Sequence, residues 1–259
     1  MREACGTSLS KRGAAAFAAA LTFTGAPSLA LAQPRQQSHA PAAAQGGLFQ
    51  DQSEASAKRY ATPDGTVRFV FDRTLGRIAL VRFEGDPEVH VLQPVAAAGG
   101  GEIYRTDDSN VILRVTPHGG IIVYTRLHRT GAPASEVADA QPLEPEAVAQ
   151  AYMRERLRQL QAEAARKVGQ QVTFDTPVQV NSAASGIVLD AAERAAQGLA
   201  DAPMTTVRHV VITIGSQPGV IMREETLTIQ VAPQMGFAGR PSSATIRNVV
   251  TGQVQGPQQ

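Results

Sequence analysis

Short hydrophobic runs of strand length alternate with turn residues between residues 58 and 129. Six of these runs are rich in β-branched and aromatic residues, and Gly, Pro, Asn and Asp separate them. No helical pattern lies between the runs, and this spacing is typical of an antiparallel meander. We therefore predict a β-meander over residues 58–129, either an open sheet or a small barrel. The runs are residues 66–71, 77–83, 88–92, 102–105, 111–116 and 121–127.

The hydrophobic period becomes that of a helix in the second half of the chain. Between Pro145 and Gly169, hydrophobic residues recur at intervals of three and four, which predicts an α-helix with one buried face. Leu157 and Leu160 belong to that face, whereas Arg154 and Arg158 fall outside it. Proline suits the first turn of a helix and glycine suits its C-terminal cap, so we expect the helix to end at Gly169.

Further strands and helices are predicted after this helix. The run from residue 207 to residue 214 is apolar on both faces, as in a central strand, and the run from 227 to 231 alternates, as in a half-buried strand. We predict an α+β fold in which the antiparallel β meander is followed by an antiparallel sheet covered by helices. The other predicted elements are a candidate strand at residues 172–180, an Ala-rich helix at 187–199, and a last helix from Ser242 or Ser243 to about Gly252.

The N-terminal residues have the three parts of a secretory signal peptide. Arg2, Lys11 and Arg12 precede a charge-free, largely apolar run, and Ala30-Leu31-Ala32 provides the small residues of a cleavage site. We predict cleavage after Ala32, so that Gln33 begins an exported, periplasmic protein. The alternative is an uncleaved N-terminal membrane anchor. The Ala-rich composition and the Gly and Pro interruptions favour cleavage.

Cleavage changes the charge and the cysteine content of the chain. The full chain has 24 Lys and Arg against 23 Asp and Glu, and removal of residues 1–32 turns the net charge from +1 to −1. The single cysteine, Cys5, leaves with the signal peptide. The mature chain therefore has no disulfide, no cysteine nucleophile and no thiolate metal ligand.

Composition divides the chain into six predicted segments. Residues 33–57 are rich in Ala, Gln and Pro without any periodicity, which is typical of a flexible tether. Residues 130–142, rich in Gly, Ala and Pro, are predicted to be a linker. The full order is a signal peptide (1–32), a tether (33–57), the β-meander module (58–129), the linker (130–142), an α+β module (143–252) and a disordered tail (253–259).

Four phrases of the chain resemble a family of exported alphaproteobacterial proteins that is defined only as a domain of unknown function. The phrases occur in the family's order, and the resemblance extends from about Tyr60 to about Val250. It implies export in a Gram-negative cell, and it implies no activity or catalytic residue. The phrases are residues 69–73, 80–88, 103–105 and 237–243.

The histidines do not form a recognisable metal motif. Three of them lie on or beside neighbouring strands and could converge on zinc, but they lack HExxH or H-x-H spacing. His209 is flanked by valines on its own strand face, which favours a core histidine with a hydrogen-bond partner. We therefore predict no metal site and no cofactor. The five are His39 in the tether, the three candidates His90, His118 and His128, and the last, His209.

No catalytic residue is predicted. The chain lacks a G-x-S-x-G nucleophile motif. Asp72 and Asp86 could form a carboxylate pair across the meander, but both positions are typical of hairpin turns. Residues 107–110 also have a turn composition, and Gly99–Gly101 precedes a strand instead of the helix that a phosphate-binding loop requires.

One candidate binding site stands at the start of the last helix. Arg240, Ser242 and Ser243 precede the N–H groups of that helix, and an arginine beside a helix N-terminus can hold an anion. The simpler interpretation, which we favour, is that one serine caps the helix and Arg240 faces water.

The residue types favour a non-catalytic protein of the cell envelope. A nearly neutral charge argues against a nucleic-acid partner, and 5% aromatic residues with no Trp give few stacking surfaces. No stretch of the mature chain is long and apolar enough to span a membrane. We predict an interaction or ligand-binding module whose partner is a protein or envelope component, and the alternative is an exported hydrolase with an unrecognised active site.

Overall fold

Twelve strands and three α-helices occupy the part of the chain that the structure describes, residues 56–177, 180–202 and 204–253 of a computed structural model. These residues lie within one compact unit, residues 50–259. The predicted cleavage site at Ala32 and Gln33, and the tether up to residue 55, lie outside the described residues. Among the residues that are described, no helix is both long and apolar enough to cross a lipid bilayer.

Eight antiparallel strands close into a barrel. Of the two forms predicted for the meander, an open sheet or a small barrel, the structure has the barrel. Each strand pairs with the next, and the last pairs with the first, where Tyr60 lies opposite Glu136. The strands are β1 (Ala57–Ala61), β2 (Arg68–Asp72), β3 (Ala79–Phe83), β4 (Val89–Ala96), β5 (Glu102–Arg105), β6 (Val111–Val115), β7 (Ile121–Val123) and β8 (Ala132–Asp139).

Aromatic side chains fill the barrel interior. Tyr60 stacks on Phe69 with ring centres 5.5 Å apart, and Phe71 meets Tyr104 edge-on at 5.0 Å. An eight-stranded barrel is just wide enough for its inward side chains, so these rings form a packed core instead of a channel.

The predicted linker at residues 130–142 is wrong, because it contains β8, which closes the barrel. The inward residues of this strand are Ala132 and Ala134, and they belong to the same buried cluster as Phe69 and Phe71. Small side chains suit a barrel whose interior is already filled by rings. Their composition resembles a linker, which explains the error.

A helix-covered sheet of four strands follows the barrel. Its strand order is β11-β12-β10-β9. The elements are α1 (Gln150–Val168), β9 (Thr173–Asp175), α2 (Ser182–Ala200), β10 (His209–Ile214), β11 (Gly219–Arg223), β12 (Thr226–Val231), a 3-10 segment (Pro233–Gly239) and α3 (Ser243–Val250).

The α+β class is confirmed, but the sheet is mixed and not antiparallel as predicted. β10 runs parallel to both β9 and β12, and only the β11–β12 hairpin is antiparallel. The chain passes through α2 between β9 and β10, and a helical crossover joins parallel strands. One face of this sheet is covered, because Val210 and Ile212 are buried whereas His209 is exposed. The predictions of a strand buried on both faces and of a core histidine are therefore wrong.

Helix α1 begins five residues later than its pattern predicts. In the segment before it, the Leu143 amide donates to Asp72 of β2 at 2.7 Å and the Val148 amide donates to Ser185 of α2 at 2.8 Å. A Cβ at Gly186 would lie only 2.1 Å from the Glu146 carbonyl oxygen, so glycine permits this close approach. These contacts hold the segment out of the helix.

The face and the end of α1 agree with the pattern. Leu157 and Leu160 are buried, whereas Arg154 and Arg158 are exposed. Gly169 caps the helix in the left-handed conformation, with φ 77°. The buried face of α1 therefore packs into the core between the helices and the mixed sheet.

The outer wall of the barrel packs against the helical part. Val70, Leu80 and Val89 of β2, β3 and β4 share a buried cluster with residues outside the barrel. These partners are Leu143 before α1, Ile187 of α2 and Phe237 of the 3-10 segment. The barrel and the helix-covered sheet therefore meet at an apolar junction.

Candidate functional site

Arg240 is buried at the junction between the barrel and the helices. Its guanidinium forms an ion pair with Asp190 of α2, lies 3.6 Å from a carboxylate oxygen of Glu88 and donates to the Val89 carbonyl at 2.9 Å. The interpretation in which Arg240 faces water is therefore wrong. Its partners come from the barrel and from α2, far away in the sequence.

The two serines do meet the N-terminus of α3, as their positions predicted. Ser242 caps the helix by accepting a hydrogen bond from the Thr245 amide at 3.1 Å, and its hydroxyl donates to Asp107. The Ser243 amide and hydroxyl both donate to Glu88. The anions at this helix N-terminus are thus carboxylates of the chain itself.

A second buried arginine completes this ionic cluster. Arg194 of α2 lies 3.6 Å from Glu88 and 3.7 Å from Asp190, and its side chain is only 2% exposed. Two guanidinium groups therefore face two carboxylates, and the four groups join the barrel to α2 and the segment before α3. This arrangement compensates buried charge and gives the cluster a structural role.

The remaining predicted polar residues do not assemble into a catalytic or metal site. Asp72 accepts hydrogen bonds from Thr74 and Leu143, whereas Asp86 pairs with His90. His118 is exposed in the turn after β6, and His209 binds Thr173 through its ring. Within the described ranges, no three His, Cys, Asp or Glu residues are placed to hold a metal ion.

A cavity of about 620 Å³ opens at one end of the barrel and is here called the mouth cavity. Strand β3 ends there at Phe83, β2 begins after Val67, and Tyr124 follows β7. Its apolar wall consists of Val67, Phe83, Ile112, Tyr124 and Leu127. Small-molecule sites are cavities of this size with mainly apolar walls, and barrel mouths are among their usual places.

A histidine–aspartate pair forms one polar side of the mouth cavity. His90 Nε2 lies 3.1 Å from Asp86 Oδ2, and the histidine ring meets Phe83 edge-on at 6.1 Å. Burial acts to raise the pKa of Asp86, but hydrogen bonds from His90 and from the Glu88 amide outweigh it, so this pKa is lowered. The carboxylate of Asp86 is therefore charged and held in place.

A neighbouring loop at the same barrel end is held by a second carboxylate. Asp64 accepts hydrogen bonds from the Thr62 hydroxyl and from the amide and hydroxyl of Thr66, which lower its pKa to about 2. His128 lies 3.6 Å from Asp64 and 3.1 Å from the Thr66 hydroxyl. Two of the three histidines that were candidates for zinc binding, His90 and His128, therefore pair with different carboxylates.

A second cavity, about 570 Å³, lies on the outer wall of the barrel beside the mouth and is here called the arginine groove. Arg59 and Arg82 stand on either side of Val70 in neighbouring strands, because both residues pair with it in register. Arg68 lies two residues before Val70 on the same strand face. The two cavities have four lining residues in common, Arg68, Phe83, Glu84 and Asp86.

Sequence reasoning missed both cavities. The lining residues come from five separate parts of the barrel. The sequence of each part alone is typical of an ordinary strand or turn. Arg68 and Arg82 were a usable signal, because they are exposed charges in two neighbouring predicted runs of the meander, whereas Arg59 lies on β1, which the pattern did not predict.

The family comparison covers most of the chain. A family model described as a domain of unknown function (DUF4908) matches residues 43–250. The chain belongs to the DUF4908 family. The match contains all the strands and helices of the structure, from β1 to α3, so the DUF4908 domain includes both the barrel and the mixed sheet. No curated protein and no solved structure matches the chain.

Proposed function

We propose that the chain is an exported, periplasmic binding protein without catalytic activity, and that the mouth cavity holds the apolar part of a small ligand. The observation that carries this proposal is the cavity itself, about 620 Å³ in size with five apolar residues in its wall. Sites that hold small ligands combine such walls with a few fixed polar groups. The His90–Asp86 pair provides such a group.

The wall of the mouth cavity at Phe83 belongs to a barrel strand, and such a rigid support favours binding of a defined ligand. Phe83 packs on Phe69 with ring centres 5.6 Å apart, and Phe69 is almost fully buried. A wall supported by the barrel core loses little freedom when a ligand binds.

Export is supported by the signal-peptide pattern of residues 1–32 and by the resemblance to exported alphaproteobacterial proteins. Cleavage after Ala32 predicts a mature protein that begins at Gln33. Intact-mass analysis of protein recovered from the periplasm tests this. A mature form that retains Gly13 to Ala32 would support the membrane-anchor alternative instead.

Binding is tested with a neutral apolar fluorophore, N-phenyl-1-naphthylamine, and purified residues 33–259. We expect saturable fluorescence enhancement that weakens in Leu127→Asp, because this exposed residue lines the mouth. The matched control is Leu75→Asp, which changes another exposed leucine in the turn after β2, at the other end of the barrel. Absence of saturable binding by the unchanged protein, or equal loss in both variants, would contradict the proposal.

The alternative function, an exported hydrolase, is favoured by the His90–Asp86 pair in the mouth cavity, because a histidine held by a carboxylate can act as a general base. A screen of esterase, peptidase, phosphatase and glycosidase substrates separates the two functions. Turnover that survives further purification and is lost in His90→Gln, while the fluorophore still binds, would establish the hydrolase.

A further inference from the structure

The arginine groove has a positive charge that its neighbours only partly balance. Three arginines and two carboxylates line it. Asp86 is already paired with His90, and Glu84 lies 3.9 Å from Arg68. Within the part of the chain that the structure describes, neither Arg59 nor Arg82 forms an ion pair with a carboxylate. Two guanidinium groups thus remain available to an anion.

The groove and the mouth cavity are two faces of one barrel edge. The strand ends at Arg68 and Phe83 contribute to both cavities, since β2 begins and β3 ends at this edge. A ligand inside the mouth can therefore extend over the edge and reach the outer wall. A cavity with one apolar wall beside a cationic groove fits a molecule with an apolar chain and an acidic head.

We propose that the ligand is a single-chain acidic amphiphile, with its apolar chain in the mouth cavity and its carboxylate or phosphate head on Arg59 and Arg82. This inference rests on the proposed binding function and adds the chemical class of the ligand. Arginine suits the role because its planar guanidinium binds a carboxylate or a phosphate through two parallel hydrogen bonds.

The candidate anion site at Arg240 does not compete for this head group. Its guanidinium is buried and bound by Asp190 and Glu88, whereas Arg59 and Arg82 are exposed and unpaired with carboxylates among the described residues. An external anion at Arg240 would have to displace carboxylates that are fixed in the fold. The groove requires no such displacement.

The test compares ligands that share one chain and differ in the head. Dodecanoate, dodecan-1-ol and dodecyltrimethylammonium each displace N-phenyl-1-naphthylamine from residues 33–259 at pH 7.5, below their aggregation concentrations. We expect dodecanoate to bind about tenfold more tightly than the alcohol, as one charge-assisted contact allows. The cation should bind more weakly than either. The advantage of dodecanoate should shrink as salt is added, because the arginines are exposed.

Variants of the groove locate the head group. We expect Arg59→Gln and Arg82→Gln each to weaken dodecanoate binding about three- to tenfold. The effect is limited to this range because solvent screens the charge of an exposed arginine. Binding of dodecan-1-ol should stay unchanged in both. Arg77→Gln is the matched control, because this exposed arginine lies in the β2–β3 turn at the other end of the barrel.

Each outcome decides between the two proposals. Equal binding of dodecanoate and dodecan-1-ol, or an equal effect of all three arginine variants, would overturn the acidic amphiphile and leave the apolar site intact. Failure of every twelve-carbon ligand to displace the fluorophore would instead count against the mouth cavity as the binding site. Acetate or inorganic phosphate that binds as tightly as dodecanoate would show a simple anion site and would also overturn this inference.

Discussion

Buried charges at the junction depend on one another for their stability. Glu88 contacts both Arg194 and Arg240, and the exposed fractions of these three side chains are 1–2%. The Glu88 carboxylate also accepts hydrogen bonds from the Ser243 amide and hydroxyl at the start of α3. Removal of one partner leaves the opposite charges buried without compensation, which costs more free energy than the intact pair contributes.

Substitution of Glu88 should therefore destabilise the protein strongly. We expect Glu88→Ala to lower the free energy of unfolding by about 3–5 kcal/mol, the usual cost of breaking a buried ion pair. The matched control is Glu155→Ala, which removes a carboxylate from an exposed pair with Arg158 and should change stability by less than about 0.5 kcal/mol. Chemical denaturation measures both, and similar losses would show that the junction cluster is not specially sensitive.

Asp64 predicts a dependence of stability on acid pH. Its folded-state pKa, about 2, is below the ordinary value of 3.8, because Thr62 and Thr66 donate to the ionised carboxylate. The stabilisation is therefore fully present above pH 3.8 and is lost as the pH falls through about 2. We expect Asp64→Asn to be less stable than the unchanged protein at pH 5, and the difference to disappear towards pH 2. A difference that is constant over this range would contradict the lowered pKa.

At the residue level, the sequence predicted the local role of Ser242 but not the environment of Arg240. A helix cap depends on neighbours within three residues, and these are visible in the sequence. The partner of Ser243 is Glu88, which is 155 residues away. Only the packing of the barrel against the helices brings the two together.

At the level of elements, one face of α1 should determine most of its contribution to stability. Leu157 is buried in the core beside the mixed sheet, so Leu157→Ala should lower the free energy of unfolding by about 2–5 kcal/mol. Arg158 is on the solvent face, and Arg158→Ala should stay within about 0.5 kcal/mol. Equal shifts of the denaturation midpoint would mean that the helix buries another face.

The strands show why element prediction succeeded only in part. β2 and β3 contain β-branched and aromatic residues, and their positions were predicted. β8 has alanines at its inward positions, so neither strand propensity nor hydrophobicity identifies it. Parallel pairing of β10 was equally hidden, since it depends on the path of the chain through α2 and not on the pattern within the strand.

On the scale of the whole molecule, the candidate ligand site follows from barrel closure. The mouth cavity brings Val67, Phe83, Ile112 and Tyr124 to one edge, although they are distant along the chain. The sequence predicted a meander but not whether it closes, and an open sheet would separate these residues. The site therefore depends on the pairing of β8 with β1, which the pattern of the chain did not indicate.

The junction should make the barrel and the helix-covered sheet unfold together. An apolar cluster and the buried Glu88 and Arg194 both span it, so separation would expose apolar surface and uncompensated charge at once. Three of the four tyrosines, Tyr60, Tyr104 and Tyr124, belong to the barrel, whereas the α-helices all lie outside it. Near-ultraviolet circular dichroism of tyrosine therefore reports mainly on the barrel, and the signal at 222 nm reports mainly on the helices. We expect the two thermal transitions to coincide.

Weakening the junction should separate these two transitions. Phe237→Ala removes an aromatic side chain of the 3-10 segment that belongs to the same buried junction cluster as Leu80 and Ile187, so it loosens the contact between the parts without opening either core. Leu160→Ala, the control, opens the core beside the mixed sheet and leaves the junction intact, so both signals should shift together to lower temperature. Separate transitions in the unchanged protein would show that the junction does not couple the two parts. Coincident transitions in Phe237→Ala would assign the coupling to the ionic cluster, and a Glu88→Ala variant should then separate them.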